Sequence, residues 1–361
     1  MAQETPHHRS YFYVGGDYLT TSSGHILTDQ MYVEKLTPVS GCTKPYPIIF
    51  IHGGAQTGTN WLNKPDDNPG WASNFLASGY EVYLLDQTNV GRSGYNPLSE
   101  NKQSSFTTEY IQQRFTAIEH YPLWEQAKLH TQWPGTGLMG DPIFDTYYSS
   151  TVPSPTDSSA QEIAMQKAGI ALLTKIGRPS IIIAHSQGSL SAWLWADARP
   201  DLVKALIQIE PKGPPFQEAI FSSEMTRPWG LTSIPLTYSP PPPPTSNTTT
   251  PTTPLQTQTL PAPSPDLVDC ILQTEPARQL LNLQDIPILI ETGEASYHAT
   301  YDYCFLLFLR QAGCKVVEHL RLGDVGIRGN GHLQFLEENS EEIAGVLEGW
   351  IERVVEGECR V

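Results

Sequence analysis

Basic residues are scarce in this sequence. The 361-residue chain carries 22 Lys and Arg against 38 Asp and Glu, a formal net charge of −16. Such an acidic excess repels phosphate backbones and anionic lipid heads, so neither a nucleic acid nor a membrane surface is expected as a partner. No run of about eighteen apolar residues is present, so no membrane span is expected. Cysteine is sparse and odd in number: Cys42, Cys270, Cys304, Cys314 and Cys359, with no CxxC pair. This spacing suggests neither a disulfide framework nor a zinc site. The first ten residues are polar and lack the apolar run of a signal peptide. The expectation is therefore a soluble chain in a reducing, cytoplasmic compartment, where the Asn247-Thr248-Thr249 sequon is incidental. Aromatics, by contrast, are plentiful: 8 Trp, 16 Tyr and 11 Phe supply the apolar area of a large core.

Short apolar runs alternate with amphipathic ones. Tyr11–Val14 and His25–Leu36 read as strands that lead into Gly- or Pro-containing turns, and Tyr46–Ile51 as a strand buried on both faces. Trp71–Ser78 follows as a helix, then Glu81–Asp86 as a strand. Further on come a helix over Ser158–Ile176 closed by Gly177, a strand over Pro179–Ala184, a helix over Gln187–Ala198 and a strand within Leu202–Ile209. Ile286–Glu291 and Lys315–Leu322 complete the strands, with a helix at Ala299–Ala312 between them. A last helix over Asn339–Val355 is opened by an Asn cap with Glu342 three residues on. This alternation predicts one α/β domain over residues 1–361, with a mostly parallel sheet covered by helices on both faces.

Two stretches interrupt it. Residues 100–157 are rich in Tyr, Trp, Gln and Pro and read as a partly helical cap insertion. Residues 217–284 form a second insertion. Within it, residues 239–265 hold ten prolines and eleven Ser or Thr, which predicts an extended or mobile segment, at the surface or as a flap by a substrate entrance.

Three local patterns carry chemistry. In Ile181-Ile-Ile-Ala-His-Ser186-Gln-Gly a buried strand runs through a tight turn into a helix. That context exposes the Ser186 hydroxyl at the carboxyl end of the sheet and aims the free N–H groups of the helix at it. The match to G-x-S-x-G is incomplete, because Ala184 stands at the first glycine. The second pattern, His52-Gly53-Gly54 after a strand, supplies backbone donors. Together with the Gln187 N–H, the Gly54 region fits an oxyanion hole, and His52 itself reads as structural. The third is Gly329-Asn-Gly-His332, a loop between the last strand and the last helix, where His332 is placed to act as general base.

Together these patterns resemble the α/β-hydrolase fold family over nearly the whole chain. The segment His52-Gly-Gly-Ala-Gln-Thr-Gly-Thr-Asn-Trp61, the Ser186-Gln187 pair and the Gly-Asn-Gly-His332 block are most similar to a bacterial esterase subgroup and its fungal relatives. In that subgroup the triad acid is a Glu after the strand that follows the nucleophile helix, and Glu210 occupies that position. The commoner family arrangement would instead use Glu291 or Glu294, with Asp302 a more distant candidate. Asp86-Gln-Thr-Asn-Val-Gly-Arg-Ser93 resembles the family's turn after its fourth strand and reads as scaffold.

The resemblance implies a serine hydrolase with Ser186 as nucleophile, His332 as base and Glu210 as acid, needing no metal or organic cofactor. His7, His8, His120 and His130 lack ligand spacing and read as solvated. The substrate expected is a small apolar or aromatic ester, a lactone or a polyketide-like molecule beneath a cap built from Tyr110, Phe115, Tyr121, Trp124, Trp133, Phe144, Tyr147 and Tyr148. Two other readings share these residues: a biosynthetic tailoring enzyme (cyclase, condensation catalyst or lyase) of a fungal natural-product pathway, and a non-catalytic binding protein.

Overall fold

Eight strands form one mixed sheet in the order β1-β2-β4-β3-β5-β6-β7-β8. They are β1 (His7–Thr21), β2 (Gly24–Pro38), β3 (Ile48–Ile51), β4 (Val82–Asp86), β5 (Ser180–His185), β6 (Val203–Ile209), β7 (Ile288–Thr292) and β8 (Val317–Arg321). The computed structural model describes residues 3–97, 101–243 and 255–357. Strand β2 runs antiparallel to both its neighbours, and β4 through β8 pair in parallel. The sheet is thus mostly parallel, as the alternation predicted.

The continuous apolar runs divide between two cores because side chains alternate along a strand. Ile49, Ile51, Ile182 and Ala184 face helices α2 (Ser158–Ile176), α3 (Gly188–Ala198) and α4 (Tyr303–Gln311) on one side. Ile48, Phe50, Ile181 and Ile183 face Trp71, Phe75, Leu347 and Trp350 on the other, the first two residues belonging to the helix Trp71–Ala77 and the last two to the helix Ser340–Ile351. Helix α2 starts where the Asp157 side chain accepts the Ala160 N–H at 3.0 Å and ends at Gly177 in the left-handed region.

Four expectations fail. First, Asn339 makes no side-chain cap for the last helix. Its amide exchanges two hydrogen bonds with the Asn330 amide, at 2.6 and 3.0 Å, and so ties the helix to the His332 loop. Second, His130 is buried, not solvated. It bridges Glu119 at 2.8 Å and Glu337 at 2.9 Å, and those two carboxylates raise it to about 9 against the opposing effect of burial.

Third, the Pro/Thr-rich segment is not wholly a surface segment, although its strand is extended as expected. Thr257–Leu260 pairs antiparallel with Cys270–Gln273, and Leu255 is buried in the core. Residues 244–254, with the Asn247 sequon, lie outside the described residues. Fourth, Cys270 and Cys304 form a disulfide that fastens this hairpin to α4. The pair is 34 residues apart in sequence, so chain-entropy loss in the unfolded state stabilises the fold by about 3–4 kcal/mol. Cys270→Ala/Cys304→Ala is expected to lose stability of that order in urea titration. An unchanged midpoint would show that the bridge constrains nothing.

Candidate active site

The elbow is built as the strand-turn-helix pattern requires. Strand β5 ends at His185, Ser186 takes a left-handed φ of 51°, and α3 begins two residues later. A non-glycine residue is strained there. The Ser186 N–H donates to Ile209 O at 3.0 Å, and its carbonyl accepts from Ser189 N at 3.0 Å and Lys212 N at 3.1 Å. The backbone is therefore held from both sides while the hydroxyl makes no hydrogen bond among the described residues.

Glycine is required where the next loop closes on this turn. A Cβ on Gly53 would lie 2.7 Å from His185 Nδ1 and 3.2 Å from Ser186 Cβ, and one on Gly188 would lie 2.6 Å from His52 O. The Gly54 and Gln187 N–H groups donate to nothing among the described residues, so both remain available to a ligand. His52 is structural: its ring bonds Gly53 O at 2.8 Å and accepts from Gln87 N at 3.0 Å. The scaffold reading of the turn after β4 also fits its contacts. Asp86 accepts from Gly58 N, Arg92 N and the Arg92 guanidinium at 2.7–2.9 Å.

His332 reaches this turn from the loop after β8. Its Nδ1 lies 2.6 Å from Glu210 Oε2. Glu210 stands at the end of β6, fully buried, and also accepts from Ser296 Oγ at 2.6 Å and Gly293 N at 2.8 Å. The loop is fixed at Gly331 N and Asn330 Nδ2 by the buried Glu337 and at Asn330 O by Ala295 N. His185 donates to His332 O at 3.0 Å. On its other ring nitrogen, His332 Nε2 faces the Tyr297 hydroxyl at 3.5 Å. It makes no hydrogen bond to Ser186 in this conformation, which differs from the bonded pair the sequence predicts. Such catalytic bonds are commonly long without ligand and tighten on substrate binding.

The alternative acids are engaged elsewhere. Glu294 pairs with Arg328 and accepts from Gly329 N at 2.9 Å. Glu291 accepts from Gln334 at 2.6 Å. Asp302 belongs to a second histidine: it accepts from His298 Nδ1 at 2.9 Å and from Thr292 Oγ1 at 2.7 Å. The His298 ring stacks on His332 at 4.9 Å and 8°.

Burial pushes Glu210 up, to about 8, despite its donors. It holds His332 well below the usual imidazole value, with His185, His298 and Lys212 adding to the effect. Ligand atoms of Glu210, His298 and His332 lie within 4.8 Å of one another. They are nonetheless taken up by Glu210–His332, His298–Asp302 and Tyr301–His298 bonds, so the group fits a hydrogen-bonded network and not a metal site.

The aromatic residues of 100–157, expected to form a cap, split in two. Phe115 stacks on His332 at 5.1 Å, and Trp124 packs on Tyr297 at 5.7 Å. Trp133, Phe144 and Tyr147 are ordinary core residues. Sequence reasoning missed Tyr297, His298, Lys212 and Ser296. None of them sits in a local motif, and only sequence proximity, of 296–298 to Glu294 and of Lys212 to Glu210, hinted at them.

A nucleophile-type elbow on a mostly parallel eight-stranded sheet, with a loop histidine bonded to a buried Glu, defines the architecture of the α/β hydrolases. The chain belongs to the α/β-hydrolase fold family: that family's model matches residues 46–241. It is 46% identical over 344 residues to the protein named probable secreted lipase phiG from a fungal species (strain ATCC 74256), an alignment covering 95% of this chain and 89% of that one. It also resembles the solved structure of a novel bacterial esterase, with a TM-score of 0.63 and 20% identity, covering 98% of each chain. That second likeness concerns the fold. The fungal relative overturns the cytoplasmic expectation, because it is named as secreted. The Cys270–Cys304 bond agrees with an oxidising compartment.

Proposed function

We propose that this protein is an extracellular serine hydrolase that cleaves a carboxylic ester or lactone through Ser186, His332 and Glu210. The observation that carries the reading is the 2.6 Å bond from His332 to the buried Glu210, beside a strained elbow serine and two unspent backbone donors. The lipase-named fungal relative supports the substrate class.

In this reading His332 Nε2 leaves the Tyr297 hydroxyl and takes the Ser186 proton as Oγ attacks the carbonyl carbon. Glu210 holds the Nδ1 tautomer and stabilises the imidazolium. The Gly54 and Gln187 N–H groups hold the tetrahedral oxyanion, each worth about 2.7–4 kcal/mol if comparable to known donors. The imidazolium then protonates the leaving alcohol. Water, deprotonated by His332, releases the acid from the acyl-enzyme.

Fluorophosphonate labelling read by mass spectrometry should modify Ser186, and p-nitrophenyl butyrate should be turned over. Labelling of no residue, or of a serine other than Ser186, would refute the assignment. The pH profile supplies a separate check. Only unprotonated imidazole accepts the serine proton, and burial holds His332 well below 6.5. Activity should therefore persist as pH falls through the ordinary imidazole range and disappear only at the depressed value. The acid limb of kcat/KM that reports His332 is expected below about pH 6.5 on a neutral ester, whereas a limb near pH 8 would report ionisation of Glu210, which burial raises to about 8, and a His332 limb at or above 6.5 would contradict its burial.

A further inference from the structure

An acidic chain gathers cations next to its candidate nucleophile. Lys212 follows Glu210 by two residues, and its N–H donates to Ser186 O at 3.1 Å and to Ser189 Oγ at 3.0 Å. Its ammonium bonds Glu218 Oε2 at 2.7 Å, while Arg227 Nη1 takes Glu218 Oε1 at 2.6 Å. Those two cations hold the Glu218 carboxyl down at about 2 against the effect of burial.

The third cation is Arg114. It sits on the π-helical turn Gln112–Thr116, a distortion frequent at functional sites. Its guanidinium is clamped 3.8 Å from the Tyr110 ring centre and 3.9 Å from that of Phe221. Phe221 packs on Tyr297 at 5.1 Å, and Tyr297 on His332 at 5.1 Å. The next residue, Phe115, stacks directly on His332. Among the described residues no carboxylate pairs with Arg114.

Lys212 and the buried Arg227 thus share one carboxylate, and a third cation, Arg114, lies near enough to Lys212 to repel its ammonium. Elsewhere the balance is reversed, since the whole chain carries −16. A cleft with a local excess of one sign concentrates ligands of the other. A planar guanidinium held flat between two rings keeps its N–H edge open for a bidentate contact with a carboxylate. The Lys212 side chain is partly exposed, and its ammonium, which burial makes harder to keep charged, donates to one carboxylate oxygen and has donors to spare.

We propose that Arg114 and Lys212 form an anion subsite beside Ser186, and that the preferred ester carries a carboxylate a few bonds from the scissile carbonyl. The proposal rests on the hydrolase reading for the word ester, but the subsite is testable without it.

The test compares mono-p-nitrophenyl glutarate with p-nitrophenyl pentanoate, acyl groups of equal length that differ by carboxylate against methyl. The wild-type protein should favour the glutarate in kcat/KM by at least about tenfold, and the ratio should shrink between low salt and about 0.5 M salt. Arg114→Gln and Lys212→Met should each lower that ratio by about tenfold, through KM more than kcat, with Arg114→Lys recovering part of it. A wild-type ratio near one, or equal losses on both esters in the variants, overturns the subsite and leaves Arg114 a packing residue.

If Ser186-dependent turnover of both esters is absent, the hydrolase reading fails and binding decides the subsite. A melting temperature raised by free glutarate in the wild type and not in Arg114→Gln supports it, and no rise in the wild type overturns it.

Discussion

Replacing Ser186 with alanine is expected to lower kcat on p-nitrophenyl butyrate on the order of 10⁶-fold, because no other group supplies the attacking oxygen. The fold should survive the change. The Ser186 hydroxyl makes no hydrogen bond among the described residues, whereas its N–H and carbonyl are tied to Ile209, Ser189 and Lys212 whatever the side chain. Circular dichroism and melting temperature should therefore stay close to the wild type. The residual rate should reflect only the Gly54 and Gln187 donors and binding. Full activity in this variant would mean that the hydrolysis occurs elsewhere on the molecule.

The second large effect concerns the acid. Glu210→Gln should lower kcat by about 10⁴-fold, since an amide presents the wrong partner to His332 Nδ1 and removes the charge that stabilises imidazolium. The three donors now gathered on the carboxylate, from His332, Ser296 and Gly293, would have to share an amide with only one acceptor atom. Glu294→Gln is the matched control. Its side chain pairs with the exposed Arg328 and bonds Gly329 N, so the loss should stay under about tenfold. A larger loss from Glu294→Gln than from Glu210→Gln would reverse the assignment between the two.

How much of this was legible in the sequence follows from the range of each interaction. The Ile181–Ser186–Gly188 pattern encodes its own strand, turn and helix within a few residues, so the elbow could be read directly. The same holds for Gly53-Gly54 and for the glycines around Asn330. His130 looked solvated because its partners, Glu119 and Glu337, meet it only when residues 119–130 pack on the last loop, and Glu337 is 207 residues away. Asn339 looked like a helix cap because local rules favour Asn there, but a long-range amide pair with Asn330 competed successfully. Cys270 and Cys304 looked unpaired for the same reason: no local spacing announces a bridge between an inserted hairpin and a core helix. The cap aromatics show the limit most clearly, since nothing in composition separates Phe115, stacked on His332, from Phe144, lost in the core.

By itself the amino-acid order determined the parallel-sheet scaffold, the turn that strains Ser186 and the two backbone donors beside it, because hydrophobic periodicity and glycine placement act over a handful of residues. Tertiary structure alone decided that Glu210 faces His332, that Nε2 faces the Tyr297 hydroxyl, and that Lys212 and Arg227 share Glu218. Those outcomes depend on side chains up to 122 residues apart being buried together, where desolvation and a few hydrogen bonds select one partner among several chemically equivalent ones.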